Sequence, residues 1–162
     1  SALDMQQAVH ENLAGVDIFI GVAAVADYRP AEAQTRKMKR SGDEQASLTI
    51  HLVENPDIIK SVANHKVRPS LVIGFAAETD DTLKHAREKL HKKGLDAVVM
   101  NDVSDPSIGF NSEQNAATLI YAHGEVVLPL QSKRQLSETL IRQIPQIFAS
   151  QLADTNPESV TK

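Results

Sequence analysis

Apolar residues recur at helical spacing near the start of the chain (Leu3, Met5, Ala8, Val9, Leu13), which predicts a helix over 3–14 with Gly15 as its stop. A near-continuous apolar run follows over 16–24 (VDIFIGVAA), as expected of a strand buried on both faces. Residues 31–46 are polar and lack any hydrophobic period, which suits a flap. Alternation over 48–53 (LTIHLV) predicts a second strand. Asn55-Pro56-Asp57 then has the composition of a helix start: Asn as cap, Pro at the first helical position, Asp at the positive end of the dipole.

A third strand is expected over 70–76 (SLVIGFA) and a helix from the cap Thr79 to Lys93, ended by Gly94. A fourth strand is expected over 95–100, and then a polar loop from Asn101 to Asn115. Residues 117–122 and 126–130 flank His123-Gly124 as a hairpin, and an amphipathic helix closes the pattern over 133–149. Strand–helix alternation from Val16 to Met100 predicts an α/β fold: a Rossmann-like, three-layer, mostly parallel sheet with a C-terminal antiparallel hairpin. The exposed edge of that hairpin would suit dimerisation.

The length of 162 residues fits one domain, assigned to 1–152, with 153–162 as a polar tail. The net charge of -4 argues against a general nucleic-acid-binding surface, so an anion site has to come from local clusters of Lys and Arg. With no cysteine, disulfides, thiolate metal sites and a cysteine nucleophile are excluded, in keeping with a cytoplasmic protein. No run has the length of a membrane span. The helical pattern is already under way at Ser1, which reads as a fragment with its natural start removed.

Two runs concentrate the candidate chemistry. Ala23-Ala24-Val25-Ala26-Asp27-Tyr28-Arg29-Pro30 follows the first strand, and Lys37-Met38-Lys39-Arg40 comes soon after. In an open α/β sheet ligands bind beyond the carboxyl ends of strands. Asp27 there could hold Mg²⁺ or a ligand, or be a turn residue. The cations could grip phosphate or form a solvated loop. Residues 55–57 could face a ligand or only cap a helix. Phe75 could stack on a planar base or pack in the core. Lys89 and Lys93 share a helix face, where they could bind phosphate or complement the helix dipole. Asn101, Asp102 and Gly109-Phe110-Asn111 are loop chemistry or site lining. The six histidines show no metal-ligand spacing, and GxGxxG, Walker A and GxSxG motifs are absent.

The ordered series AAVADYRP, KMKR, ENPDII, GFAAET, AREKLHKKGLD, NDVS and GFNSEQN resembles the phosphopantothenoylcysteine synthetase domain, the CTP-dependent phosphopantothenate–cysteine ligase of coenzyme A biosynthesis. The resemblance spans about Ala2 to Leu152. It implies ligation of 4'-phosphopantothenate to L-cysteine through an acyl-cytidylate, with release of CMP and pyrophosphate. It also implies Mg²⁺, CTP as co-substrate, and a homodimer, with FMN confined to a decarboxylase half absent from this chain.

On these positions the resemblance implies a catalytic contact at Lys37 and a metal and nucleotide ligand at Asp27. Nucleotide contacts are implied at Ala23, Ala24, Lys37, Pro56, Asp57, Ile58, Ile59, Phe75, Lys89 and Lys93. A flap is implied from Arg40 to about Gln45. Arg40 stands where that family has Lys, which keeps the charge but changes the hydrogen-bonding geometry. The family's domain begins upstream of Ser1, so the resemblance implies an incomplete active site. Two rival readings remain: a non-catalytic nucleotide-binding or dimerisation module, and a nicotinamide-dependent dehydrogenase.

Overall fold

The computed structural model describes residues 1–32, 36, 47–78, 82–102 and 112–153. Helix α1 (Ala2–Glu11) starts at a capping box, in which the Ser1 hydroxyl accepts from the Asp4 backbone N–H and the Asp4 carboxylate accepts in return. Gly15 turns the chain at φ 75°, a conformation that favours glycine. Strand β1 (Ile18–Gly21) is shorter than the apolar run over 16–24. Its pairing stops at Gly21, and Val22, Ala23 and Ala24 leave the sheet as an exposed loop.

Strand β2 (Tyr28–Pro30) pairs antiparallel with β3 (Leu52–Glu54) in a separate two-stranded ribbon. This corrects the strand expected over 48–53. Leu48, Ile50 and Leu52 are each at least half exposed, so the alternation has no core to face. Only residues 52–54 find a partner, and it is the ribbon rather than the parallel sheet. Helix α2 (Ile58–Ala63) is capped by Asp57, which accepts from the Lys60 N–H, and not by Asn55. Asn55 instead ties the ribbon to the loop before it. Its backbone N–H donates to the Asp27 carbonyl at 2.7 Å and its side chain donates to the Ala26 carbonyl at 2.8 Å.

Strand β4 (Leu71–Glu78), helix α3 (Thr82–Lys93) and strand β5 (Ala97–Asp102) follow the expected order, with Gly94 at φ 71° after α3. The expected cap Thr79 lies outside the described residues. Strands β6 (Gln114–Tyr121) and β7 (Gly124–Ser132) form the hairpin, each longer than its pattern suggested. Pro129 is tolerated because β7 is an edge strand. Helix α4 (Lys133–Ile147) opens on a second capping box, Ser132 with Gln135, and α5 (Ala149–Ala153) follows.

The main sheet runs β1-β4-β5-β6-β7, with the first three strands parallel and the last two antiparallel. Alternate residues feed two cores. On one face Val72, Val98 and Ile120 pack with Val62 of α2 and Leu90 of α3. On the other, Leu71, Ile73, Val99 and Leu119 pack with Leu136, Leu140 and Ile144 of α4. At the amino ends of β4 and β5 the Asp96 carboxylate accepts from Arg68 (2.6 Å), from the Val72 N–H (2.7 Å) and from Gln151 of α5 (2.8 Å).

Candidate functional site

A crevice of about 280 Å³ opens beyond the carboxyl ends of β1 and β4, on the α2/α3 side of the sheet. The loop 23–27 forms one wall and residues 55–59 another, with Phe19, Phe75 and Lys93 completing it. A ligand position beyond strand carboxyl ends is what an open α/β sheet offers. The structure therefore gathers Ala23, Ala24, Asp27, Pro56, Asp57, Ile58, Ile59, Phe75 and Lys93 around one space. Lys89, one turn before Lys93 on α3, does not line it. Lys37, the flap from Arg40 to Gln45 and the Gly109–Asn111 segment lie outside the described residues.

Two glycines make room for Ile59, which lines this crevice. Gly21 and Gly74 are register partners across β1 and β4. A Cβ on Gly74 would meet Ile59 Cδ1 at 2.9 Å and Leu95 Cδ1 at 3.1 Å, and one on Gly21 would meet Ile59 Cδ1 at 3.0 Å. The paired glycines thus let Ile59 seat α2 directly on the sheet. The small size of Gly74 serves helix packing and not approach of a ligand to the backbone.

Lys93 is already paired. Its ammonium lies 3.0 Å from Asp57 Oδ2, with the two side chains 33% and 38% exposed. Asp57 thereby caps α2 with one oxygen and holds the crevice cation with the other. No local signal marks this pair, because its members are far apart in the sequence. Phe75 packs against the α4-side core, the second of the two roles the sequence offered, and it also borders the crevice. Asp27 is exposed, and among the described residues no group of three or more His, Asp or Glu could hold a metal ion.

A second cavity, of about 560 Å³, lies on the opposite face of the sheet under α4. It shares Ala23, Ala24 and Phe75 with the crevice. Its other walls include Asn115 and Leu136, Leu140 and Ile141 of α4, none of which the sequence marked as site residues.

Residues 1–148 match the family described as the DNA/pantothenate metabolism flavoprotein C-terminal domain. The chain belongs to this family. It is similar to the coenzyme A biosynthesis bifunctional protein CoaBC of Escherichia coli (strain K12), with 44% identity over 144 residues, 89% of this chain and 36% of the relative. The crystal structure of the C-terminal domain of a coenzyme A biosynthesis bifunctional protein CoaBC superimposes with a TM-score of 0.70 at 31% identity, over 93% of this chain and 64% of that one. A relative from an unknown prokaryotic organism, named cysteine/cysteine sulfinic acid decarboxylase, is 36% identical over 145 residues, 89% of this chain and 40% of the relative. The chain thus spans little more than a third of the curated relatives it matches.

These findings bear out the Rossmann-like α/β fold with its antiparallel hairpin. They correct the functional expectation. The motif series implied a CTP-dependent acid–amino-acid ligase, with Mg²⁺ and CTP as its cofactors and FMN only in an absent half. The family is described instead as the C-terminal domain of a DNA/pantothenate metabolism flavoprotein, and a relative matched over 89% of this chain and 40% of its own length is named cysteine/cysteine sulfinic acid decarboxylase. The ligase activity and its CTP and Mg²⁺ requirement are set aside on those descriptions. No helix among the described residues is long and apolar enough to cross a membrane.

Proposed function

We propose that this chain binds a phosphorylated planar-ring ligand, of the mononucleotide class, as the C-terminal part of a bifunctional protein of coenzyme A biosynthesis. One observation carries the reading: an aromatic ring, Phe75, and a cation, Lys93, line the same crevice at the carboxyl ends of parallel strands. A ring system finds apolar surface against Phe75, Phe19 and Ile59, and a phosphate finds the ammonium of Lys93. Ala23 and Ala24 leave the backbone of the first loop uncovered beside it.

The flavoprotein description of the family makes flavin mononucleotide one candidate. The residues that would hold it are these same ones, and a bound flavin would supply redox chemistry. The space enclosed by the described residues, about 280 Å³, is just below the roughly 300–1,000 Å³ of ligand pockets, so ring size is the property to test. The same reading includes cytoplasmic action and self-association through the β6–β7 hairpin.

Calorimetry with flavin mononucleotide, pyrimidine and purine nucleotides, and inorganic phosphate tests the proposal. At least one ring-bearing phosphate should bind more tightly than inorganic phosphate, and Lys93→Ala and Phe75→Ala should each weaken it. Equal binding of all probes, or binding indifferent to both substitutions, would remove the site.

A further inference from the structure

Helix α1 buries none of its side chains, and among the described residues a single side-chain hydrogen bond joins it to another element. That bond links His10, in the last turn of α1, to Ser61 of α2, with Nε2 and Oγ 2.8 Å apart. The Ser61 hydroxyl donates its one proton to the Ile58 carbonyl at 2.7 Å, so His10 donates from Nε2. The ring of His65, just past α2, lies 4.8 Å from that of His10, centroid to centroid. His65 Nδ1 accepts from the Val67 backbone N–H at 3.2 Å, so that nitrogen carries no proton and the ring is neutral. A charged His10 keeps its bond to Ser61, and the last turn of α1 favours that charge. A charged His65 does not fit. Its added proton would meet the Val67 N–H, and its charge would face His10.

We infer that His10 and His65 form a pH-operated clasp, which holds α1 against α2 while His65 is neutral and releases it when both rings are charged. The open form binds one more proton than the closed form, so the closed form loses stability as the pH falls below about 6.5, where imidazole ordinarily titrates. Among the described residues no carboxylate pairs with either ring, so nothing there offsets a second charge. On α1 and the loop after it, Asp4 is held by Ser1, Glu11 by Gln7, and Asp17 is exposed. Around α2, Asp57 and Arg68 are paired with Lys93 and Asp96, and Lys60 and Lys66 are exposed. On α3, Arg87 and Lys92 are paired with Glu125 and Glu88, Lys89 is partly buried, and Lys84, His85 and His91 are exposed. Val9 of α1 packs against the core and Met5 lines the crevice, so release of the helix loosens a crevice wall. The inference does not depend on which ligand the crevice holds.

The test uses the isotope-labelled chain between about pH 8 and about pH 5, the range in which imidazole changes charge. At the upper end, imidazole nitrogen spectra should show His10 and His65 protonated on Nε2 alone. On acidification the hydrogen-exchange protection of the α1 amides, corrected for intrinsic rate, should fall by up to about tenfold per pH unit once below about pH 6.5, the slope of one proton. Val98 and Val99 of β5 should stay protected. His10→Gln combined with His65→Asn keeps a donor for Ser61 and an acceptor for Val67 but removes both titrating rings. In that variant α1 protection should no longer depend on pH. A proton on His65 Nδ1 at the upper end, α1 protection independent of pH in the unsubstituted chain, or an unchanged pH dependence in the double variant would each overturn the inference. The first two readings need no substitution, so they decide the matter even if the double variant fails to fold.

Discussion

The two faces of the sheet share Ala23, Ala24 and Phe75 yet offer ligands different chemistry. The α2/α3 face presents a partly exposed ion pair, Lys93 with Asp57, at the edge of the crevice. The α4 face presents apolar side chains from a 15-residue helix. The strands themselves differ little between faces, since both bury Val, Ile and Leu. The helices make the difference. Short α2 brings a capping carboxylate to the edge and α3 ends there on Lys93, whereas α4 lays Leu136, Leu140 and Ile144 along the sheet. One strand edge thus borders a charged space on one side and a largely apolar one on the other.

This contrast can be broken or sharpened by substitution. Ile144→Ala should cost about 2–5 kcal/mol of stability, because it opens a cavity in a buried core. Denaturant unfolding would show it, and affinity for crevice ligands should be preserved; a parallel loss would mean that the faces are not separable. Lys93→Ala should cost about 1.5–3 kcal/mol of phosphate-ligand affinity, read by calorimetry, with little effect on stability. Ser132→Ala removes the cap of α4 and should lower stability by about 1 kcal/mol, again without changing crevice affinity. Asp57→Asn keeps a capping side chain but frees Lys93, so anion affinity should rise by about 0.2–1 kcal/mol, the range for exposed pairs. A fall in affinity would show that the carboxylate itself serves the ligand.

The parallel strands β4 and β5 and helix α3 were legible in the sequence, because each carries its own period and its own stop. The β2–β3 ribbon was not. Tyr28–Pro30 pairs with Leu52–Glu54 across an intervening polar stretch, and three-residue strands have too few positions to show alternation. Of the crevice, Asp27, Phe75, Lys93, Pro56 and Asp57 were readable as positions that follow strands or open and close helices, whereas Ile58 and Ile59 came only with the family resemblance. Lys89 was grouped with Lys93 by helical spacing, but sharing a helix face did not bring both to the crevice. Of the α4-side cavity, Ala23, Ala24, Phe75 and Asn101 were offered as site lining, but Asn115 resembled loop chemistry and the α4 leucines resembled ordinary core, which they also are.

The Asp96 carboxylate lies at the end of the sheet opposite the crevice and the α4-side cavity. By joining Arg68, the Val72 amide and Gln151, it fastens the last described helix to the start of the two central parallel strands. That fastening sets an order of opening. Amide hydrogen exchange at Val72 should be among the slowest in the chain, while the loop at Ala23 and Ala24 exchanges freely. The loop end of the sheet is thus expected to open before the end that Asp96 fastens.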